Sequence, residues 1–424
     1  DNALYVGAGN EVYVYDITDR RNPVRRGTLG AGSATSVVRV YVDGRRVYCL
    51  YTSGRLVAAG AGSGAGGAFT PSVIAAWSGP ANATDLVVQD GIAYCTYDGA
   101  GLRIVNLRDP SAPELLWTDG GSPAVGVAVR GTALACIYRN RRYITCSVAN
   151  PRAPVYLTHS DAGAVPTLVS INRRGFAWCG YGRRASLLDI PPYVVAASPC
   201  DGRAGHCAEG AVKVFFSSPL DPATITPDSV RVLRGDVPVS GVVSLSGLVA
   251  TFTPASALAE GSYGLAVAPT VRSARGVRFA PPPGWRSTFR VAPVCVGFES
   301  VPASVESGGA ASFAWRVRGG TTVSATGMQV STRPDPVFDP QEVTANLTGA
   351  PGLFTQTWTA PVVDRASTYY FTADANVDGA TYYSSVVALS VNPAPAPAVA
   401  WTTPPSQGFS GAPRALAWSV SNVT

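Results

Sequence analysis

The chain has 424 residues, of which 45 are Gly and 34 Pro, with only 14% charged side chains and a formal net charge of +6. That length holds several domains, and so many turn formers among β-branched and aromatic runs exclude a helical bundle or a disordered chain. No run of 18 apolar residues occurs, so no membrane-spanning helix is expected.

The chain opens on Asp1 without Met or a cleavable signal, as a processed protein or an internal segment would. The first 195 residues write one short strand repeatedly: Val47-Tyr48-Cys49-Leu50-Tyr51, Ala93-Tyr94-Cys95-Thr96-Tyr97, Leu134-Ala135-Cys136-Ile137-Tyr138 and Ala177-Trp178-Cys179-Gly180-Tyr181. Leu4-Tyr5-Val6-Gly7 is a fifth copy without the cysteine. Around each copy runs a fixed grammar. A β run such as Asp85-Leu86-Val87-Val88 comes before it, and a third strand such as Gly101 to Leu107 comes after it. A Pro-spaced link and a last strand then complete the unit. The link recurs as Asp19 to Pro23, Asp109 to Pro113 and Asn150 to Pro154, and Pro cannot donate to a ladder, so it must lie outside the sheet. Four short strands per unit of about 42 residues describe a propeller blade.

Gly101-Leu102-Arg103-Ile104-Val105-Asn106-Leu107-Arg108-Asp109-Pro110 resembles the LVIVD repeat, a bacterial β-propeller repeat of surface and secreted proteins. The resemblance covers about 1–195 and implies a small propeller of about five blades. Repeat two departs from it with a Gly/Ala/Ser insertion near Gly60 to Gly67, read as a flexible loop because it lacks the Lys-Ser/Thr of a phosphate-binding loop. The first copy lacks its leading strand and the fifth, ending at Asp189-Ile190-Pro191-Pro192, its last one, which would suit ring closure by the chain's two ends, with a truncated larger ring as the alternative to five blades.

Residues 196–292 run from a Phe215-Phe216 strand through Pro219 to Thr226, then Ala250 to Pro254 and Leu258 to Tyr263. This order resembles the bacterial Ig-like domain first associated with S-layer proteins, which implies a β-sandwich without an active site. Residues 293–392 read as a second Ig-like domain of short alternating strands. Residues 393–424 begin with a Pro-rich linker and then repeat the start of the preceding domain. Phe298 and Trp401, like Trp315 and Trp418, stand 103 residues apart, the length of an Ig-like domain. Two strands cannot bury a core, so the natural protein is expected to continue as further Ig-like domains. The fold class is therefore all-β: a small propeller followed by tandem Ig-like sandwiches.

Candidate chemistry is sparse. Cys200 and Cys207 bracket a polar loop and form a candidate disulfide, with a reduced pair as the alternative; an oxidising compartment would follow from the disulfide. Cys136 and Cys146 flank one hairpin and form a second candidate pair, and Cys295 has no evident partner. The repeated cysteines lack the short spacing of metal sites and read as core packing. His159 and His206 read as solvated loop residues. Asp374-Ala375-Asn376-Val377-Asp378-Gly379 begins like a calcium loop, but position twelve is Ser385 and the flanks are strand-like, so it reads as a hairpin.

Residues 1–195 hold 19 arginines against 13 acidic residues, and the remainder is balanced, so the front carries the whole net charge. The pairs Arg20-Arg21, Arg45-Arg46, Arg141-Arg142, Arg173-Arg174 and Arg183-Arg184 are candidate contacts to an anionic partner, set against solvated turns that protect strand edges. Without a basic stripe interleaved with aromatics, nucleic acid is not an expected partner. The resulting expectation is a non-enzymatic extracellular or cell-surface protein without a cofactor or bound metal. Its role would be structural, in a surface layer, filament or stalk, and its partners other subunits, envelope polymers or further copies. One alternative is an adhesin or toxin component whose propeller recognises a glycan, including an anionic one, or a protein. Another is a glycosidase or lyase housed in the propeller mouth.

Overall fold

The computed structural model describes residues 3–29, 35–43, 46–60, 73–109, 112–172, 175–281, 283–334, 342–343, 347–394, 398–403 and 417–421. Among these there is no α-helix; one 3-10 turn, Pro222–Thr224, interrupts the strands.

Five antiparallel meander sheets follow one another at the front. Sheet 1 is Ala3–Ala8, Glu11–Asp16 and Val24–Leu29; sheet 2 is Val37–Asp43, Arg46–Tyr51, Arg55–Gly60 and Val73–Ser78. Sheet 3 is Ala83–Gln89, Ile92–Tyr97, Gly101–Asn106 and Glu114–Thr118; sheet 4 is Ala124–Arg130, Ala133–Tyr138, Arg142–Ser147 and Val155–Asp161. Sheet 5 is Leu168–Ile171, Phe176–Tyr181 and Arg184–Asp189. The first strands of sheets 2 to 5 lie against one another in succession, so each sheet packs face to face on the next.

In sheets 2 to 4 the repeated strand is the second of its sheet and is buried on both faces; the Leu4 to Gly7 copy lies in the first strand of sheet 1, and in the sheet 5 copy Trp178 is exposed. The strand's side chains alternate. Cys49, Cys95 and Cys136 all point toward the preceding sheet, together with Tyr51, Tyr97 and Tyr138 two residues on; Tyr48 and Tyr94 point toward the following one. Cys179 likewise faces sheet 4. The four thiols therefore sit in four separate layers. Cys136 lies opposite Ile144 and Cys146 opposite Leu134, and the two remain separate thiols.

Sheets 1 and 5 stay three-stranded, and no ladder joins them, so the expected closure through the chain's two ends is not seen among the described strands. Their outer faces instead leave Leu4 and Val6, and Leu168, Trp178 and Leu187, exposed. Residues 61–67 of the glycine-rich insertion lie outside the described residues.

Two sandwiches follow. In the first, Val194–Ser198, Val212–Phe216, Val249–Pro254 and Gly241–Ser246 form one sheet. Facing it are Arg203–His206, Trp285–Val291, Gly261–Val267, Val230–Arg234 and Val237–Pro238. Phe216, Phe252, Tyr263 and Phe289 fill the space between, the last two stacked at 5.5 Å. In the second, Cys295–Ser300, Ala310–Arg318 and Leu353–Thr359 face a sheet built on Val323–Ser331, Ser367–Val377 and Val387–Asn392. Trp315 is wholly buried there and donates its Nε1–H to Thr326 Oγ1 at 2.9 Å. Asp378 and Gly379, both at positive φ, turn the Ser367–Val377 strand into Ala380–Tyr383, as the hairpin reading requires. Finally Ala398–Thr403 pairs with Ala417–Ser421, setting Trp401 opposite Trp418 as Phe298 is set opposite Trp315.

Two expectations need correction. Cys207 is bonded to Cys295, with Cα atoms 5.0 Å apart, and not to Cys200. The segment read as a small loop contains the strand Arg203–His206, and an extended strand carries Cys200 and Cys207 apart rather than together. Cys200 turns into a cluster with Ala196, Phe215 and Val386, while the strand delivers Cys207 to the start of the second sandwich. Neither histidine lies in a loop, and of the two only His159 is exposed. His159 lies in the strand Val155–Asp161 and bonds the Tyr156 hydroxyl. His206 is 2% exposed, packs edge-on against Phe289 and meets the Gly210 carbonyl at 3.0 Å; burial pulls its pKa down to about 4.

Candidate functional site

Meander geometry sorts the arginine pairs. In a four-stranded sheet the turns between strands 1 and 2 and between 3 and 4 share one end, and the turn between 2 and 3 lies at the other. Arg20, Arg21 and Arg46 belong to the first end, from which the chain leaves for the sandwiches. Arg45, Arg173 and Arg174 lie outside the described residues. Arg141, Arg142, Arg183 and Arg184 are exposed at the opposite, free end and make no ion pair with a described residue. The pairs are thus not one patch.

Those at the first end are largely structural. The Arg21 backbone N–H donates to Asp19 Oδ1 at 3.0 Å, closing a turn. Arg46 Nη1 donates to the carbonyls of Leu107 and Arg108 at 3.0 and 3.3 Å and so ties sheet 2 to sheet 3. At the free end, Arg139 pairs with Asp98 at 2.6 Å across sheets 4 and 3.

A polar seam that sequence reasoning missed runs along the first strands. Arg39, Asp85 and Gly126 hold the same position, each just past a bulge. Asp85 Oδ1 accepts from Arg39 Nε at 2.7 Å and from the Leu86 N–H at 2.9 Å, and Oδ2 accepts from the Val127 N–H at 3.2 Å. A Cβ at Gly126 would crowd Ile137, 3.0 Å from its Cδ1, and would meet Asp85 Oδ2 only at an ordinary contact distance of 3.6 Å. The legible signal was a lone carboxylate inside an apolar strand.

The five cysteines of the front sheets offer no reactive centre. Burial pushes the Cys49, Cys95 and Cys146 thiols up to about 12 and Cys179 to about 11, and moves Cys136 upward as well. They stay protonated and serve as packing.

Where the front meets both sandwiches there is a cleft of about 970 Å³, walled by Arg130, Phe176, Tyr193, Phe215, Arg275 and Tyr370 among others. Arg275 stands 4.2 Å over the Phe176 ring and pairs with Asp189 at 3.1 Å, joining the first sandwich to sheet 5. A smaller polar cavity of about 410 Å³ adjoins it, lined by Asp90, Thr132 and Arg333. Arg333, buried on the second sandwich, donates through Nη1 to the Val148 carbonyl at 3.0 Å and lies 4.0 Å from Asp90. The described walls of the larger cleft carry serine and tyrosine hydroxyls and arginines but no carboxylate, imidazole or thiol. That wall can hold a molecule, and no nucleophile–base pair is set in it.

Residues 189–290 match the family model of the bacterial Ig-like domain. Domains of this kind occur in bacterial surface proteins, and no helix among the described residues is long and apolar enough to cross a membrane. No curated protein matches the chain. Among solved structures, the chain is similar to one titled as the mitotic checkpoint complex, at 11% identity and a TM-score of 0.37, with 45% of this chain and 61% of that one covered. The chain thus spans less than two thirds of that structure's length. It is also similar to the computationally designed Ika8 protein, at 10% identity and a TM-score of 0.36, with 91% and 93% covered. Both scores are too low to bear on fold or function.

Proposed function

We propose that this chain is a non-enzymatic structural part of an extracellular or cell-surface protein, in which a propeller-type head rides on a stiff run of Ig-like sandwiches. The observation that carries this reading is the bacterial Ig-like match at 189–290 on a sandwich fastened at both sides, to sheet 5 through Arg275–Asp189 and to the next sandwich through Cys207–Cys295. The five stacked sheets support a blade-type head of the LVIVD kind. A disulfide between sandwiches suits an oxidising compartment. A surface layer, filament or stalk, with further copies or envelope polymers as partners, fits such a body. Protease applied to intact cells that carry the protein should release its fragments; protection until the cells are lysed would sink the reading.

A second reading rests on Arg141, Arg142, Arg183 and Arg184 at the free end: an adhesin-like contact with an anionic glycan. Binding to immobilised heparin should weaken about tenfold or more when all four become Gln, and should fall with salt. Equal binding by the variant rules this contact out.

A further inference from the structure

The disulfide short-circuits the first sandwich. Cys207 and Cys295 are 88 positions apart, and every strand from Val212–Phe216 to Trp285–Val291 lies inside the loop they close. Only Val194–Ser198 and Arg203–His206 lie outside it. Tension applied between the two ends of the chain enters the sandwich at Val194, reaches Cys207 and crosses the sulfur–sulfur bond to Cys295. The backbone inside the loop is bypassed and cannot be drawn out while the bond holds. We propose that the chain is a load-bearing tether whose reach is set by the redox state of this one bond.

The surroundings of the bond suit that use. Cys207 directly follows the strand Arg203–His206, which pairs in parallel with Trp285–Val291, and Cys295 opens the strand Cys295–Ser300, so the crossing point is anchored by a sheet on each side. The same strand is pressed onto the second sandwich: a Cβ at Gly205 would stand 2.6 Å from Tyr383 N, and Arg203 lies 5.0 Å over the Tyr383 ring. Ser198 Oγ accepts from the Val386 N–H at 2.7 Å, and Phe215 meets Tyr370 edge-on at 5.9 Å. Load is therefore shared across a packed interface. Both cysteines are partly exposed, which leaves the bond open to a thiol reductant. Opening it takes two electrons and two protons, supplied by two thiols that leave as their own disulfide, and returns Cys207 and Cys295 as thiols.

This deepens the structural reading above and rests on it only for the load; the length switch is a property of the chain itself. Single molecules pulled from handles at the two ends, in optical tweezers, test it. Fully extended wild-type protein should be about 30 nm shorter without dithiothreitol than with it, the length of the looped residues at ~3.4 Å each. The Cys207→Ser/Cys295→Ser variant should extend to the longer value under both conditions. Equal wild-type lengths with and without reductant overturn the proposal, and this comparison decides even where the variant fails to fold. A length difference in a protein that intact cells shield from protease would keep the switch and refute the surface role.

Discussion

Asp85 shows what one side chain decides in this molecule. A carboxylate in an apolar strand is costly unless its oxygens are matched, and here two backbone donors and Arg39 match them. Asp85→Ala strands those donors and should cost about 2–4 kcal/mol in urea unfolding. Arg39→Ala should cost about 1 kcal/mol or less, because the Arg39 side chain is 53% exposed. Equal losses would mean that the pair, not the orphaned backbone, carries the energy. His206 makes the pH dependence directional. Its pKa is about 4 when folded and near 6.5 when unfolded, so the unfolded chain takes up the proton first as pH falls. Stability is full above pH 6.5 and drains by about 3 kcal/mol toward pH 4. Denaturation midpoints across that window should fall in wild type and fall much less in His206→Phe.

Strands were the legible level. The Tyr-Cys copies, the Pro-spaced links at 19–23 and 150–154 and the Asp378-Gly379 hairpin all lie where alternation and turn chemistry place them, because a period of two and a donor-less residue are local facts. Which face meets which neighbour was not legible. Every repeated cysteine faces the preceding sheet, a regularity that exists only once sheets stack. From it follows a chemical expectation: Cys49, Cys95, Cys136, Cys146 and Cys179 should resist iodoacetamide in the native protein and all be alkylated in guanidinium. Mass spectrometry checks this, and fast native labelling of any of them would contradict their closed layers. The loop between Cys200 and Cys207 failed as a prediction for the same reason. Its polar residues between two cysteines read as a loop, yet Arg203–His206 finds a ladder beside Trp285–Val291, a partner more than 80 residues away.

On the scale of the whole molecule, the parts are bolted rather than strung. Arg333 reaches from the second sandwich to the Val148 carbonyl of sheet 4, a contact 185 residues apart in sequence. Arg333→Leu removes a charged donor from a buried carbonyl and should cost about 2–3 kcal/mol. In calorimetry the front and the second sandwich should then melt at separate temperatures; an unchanged profile would show the contact to be incidental. Of the arginine pairs, composition could give the surplus but not its division between two ends of the stack.

By itself the sequence determined the all-β class, the repeat in the front and the Ig-like order behind it, because alternation, turn residues and repeat length act over a few residues. It also gave the register in which Ala398–Thr403 and Ala417–Ser421 repeat the start of the second sandwich, since 103-residue spacing carries register with it. Only the tertiary structure decided the partner of Cys207, the burial of His206, the seam through Asp85 and the open faces of sheets 1 and 5. Each of these depends on residues brought together by sheet packing over long separations, and no local pattern encodes that distance.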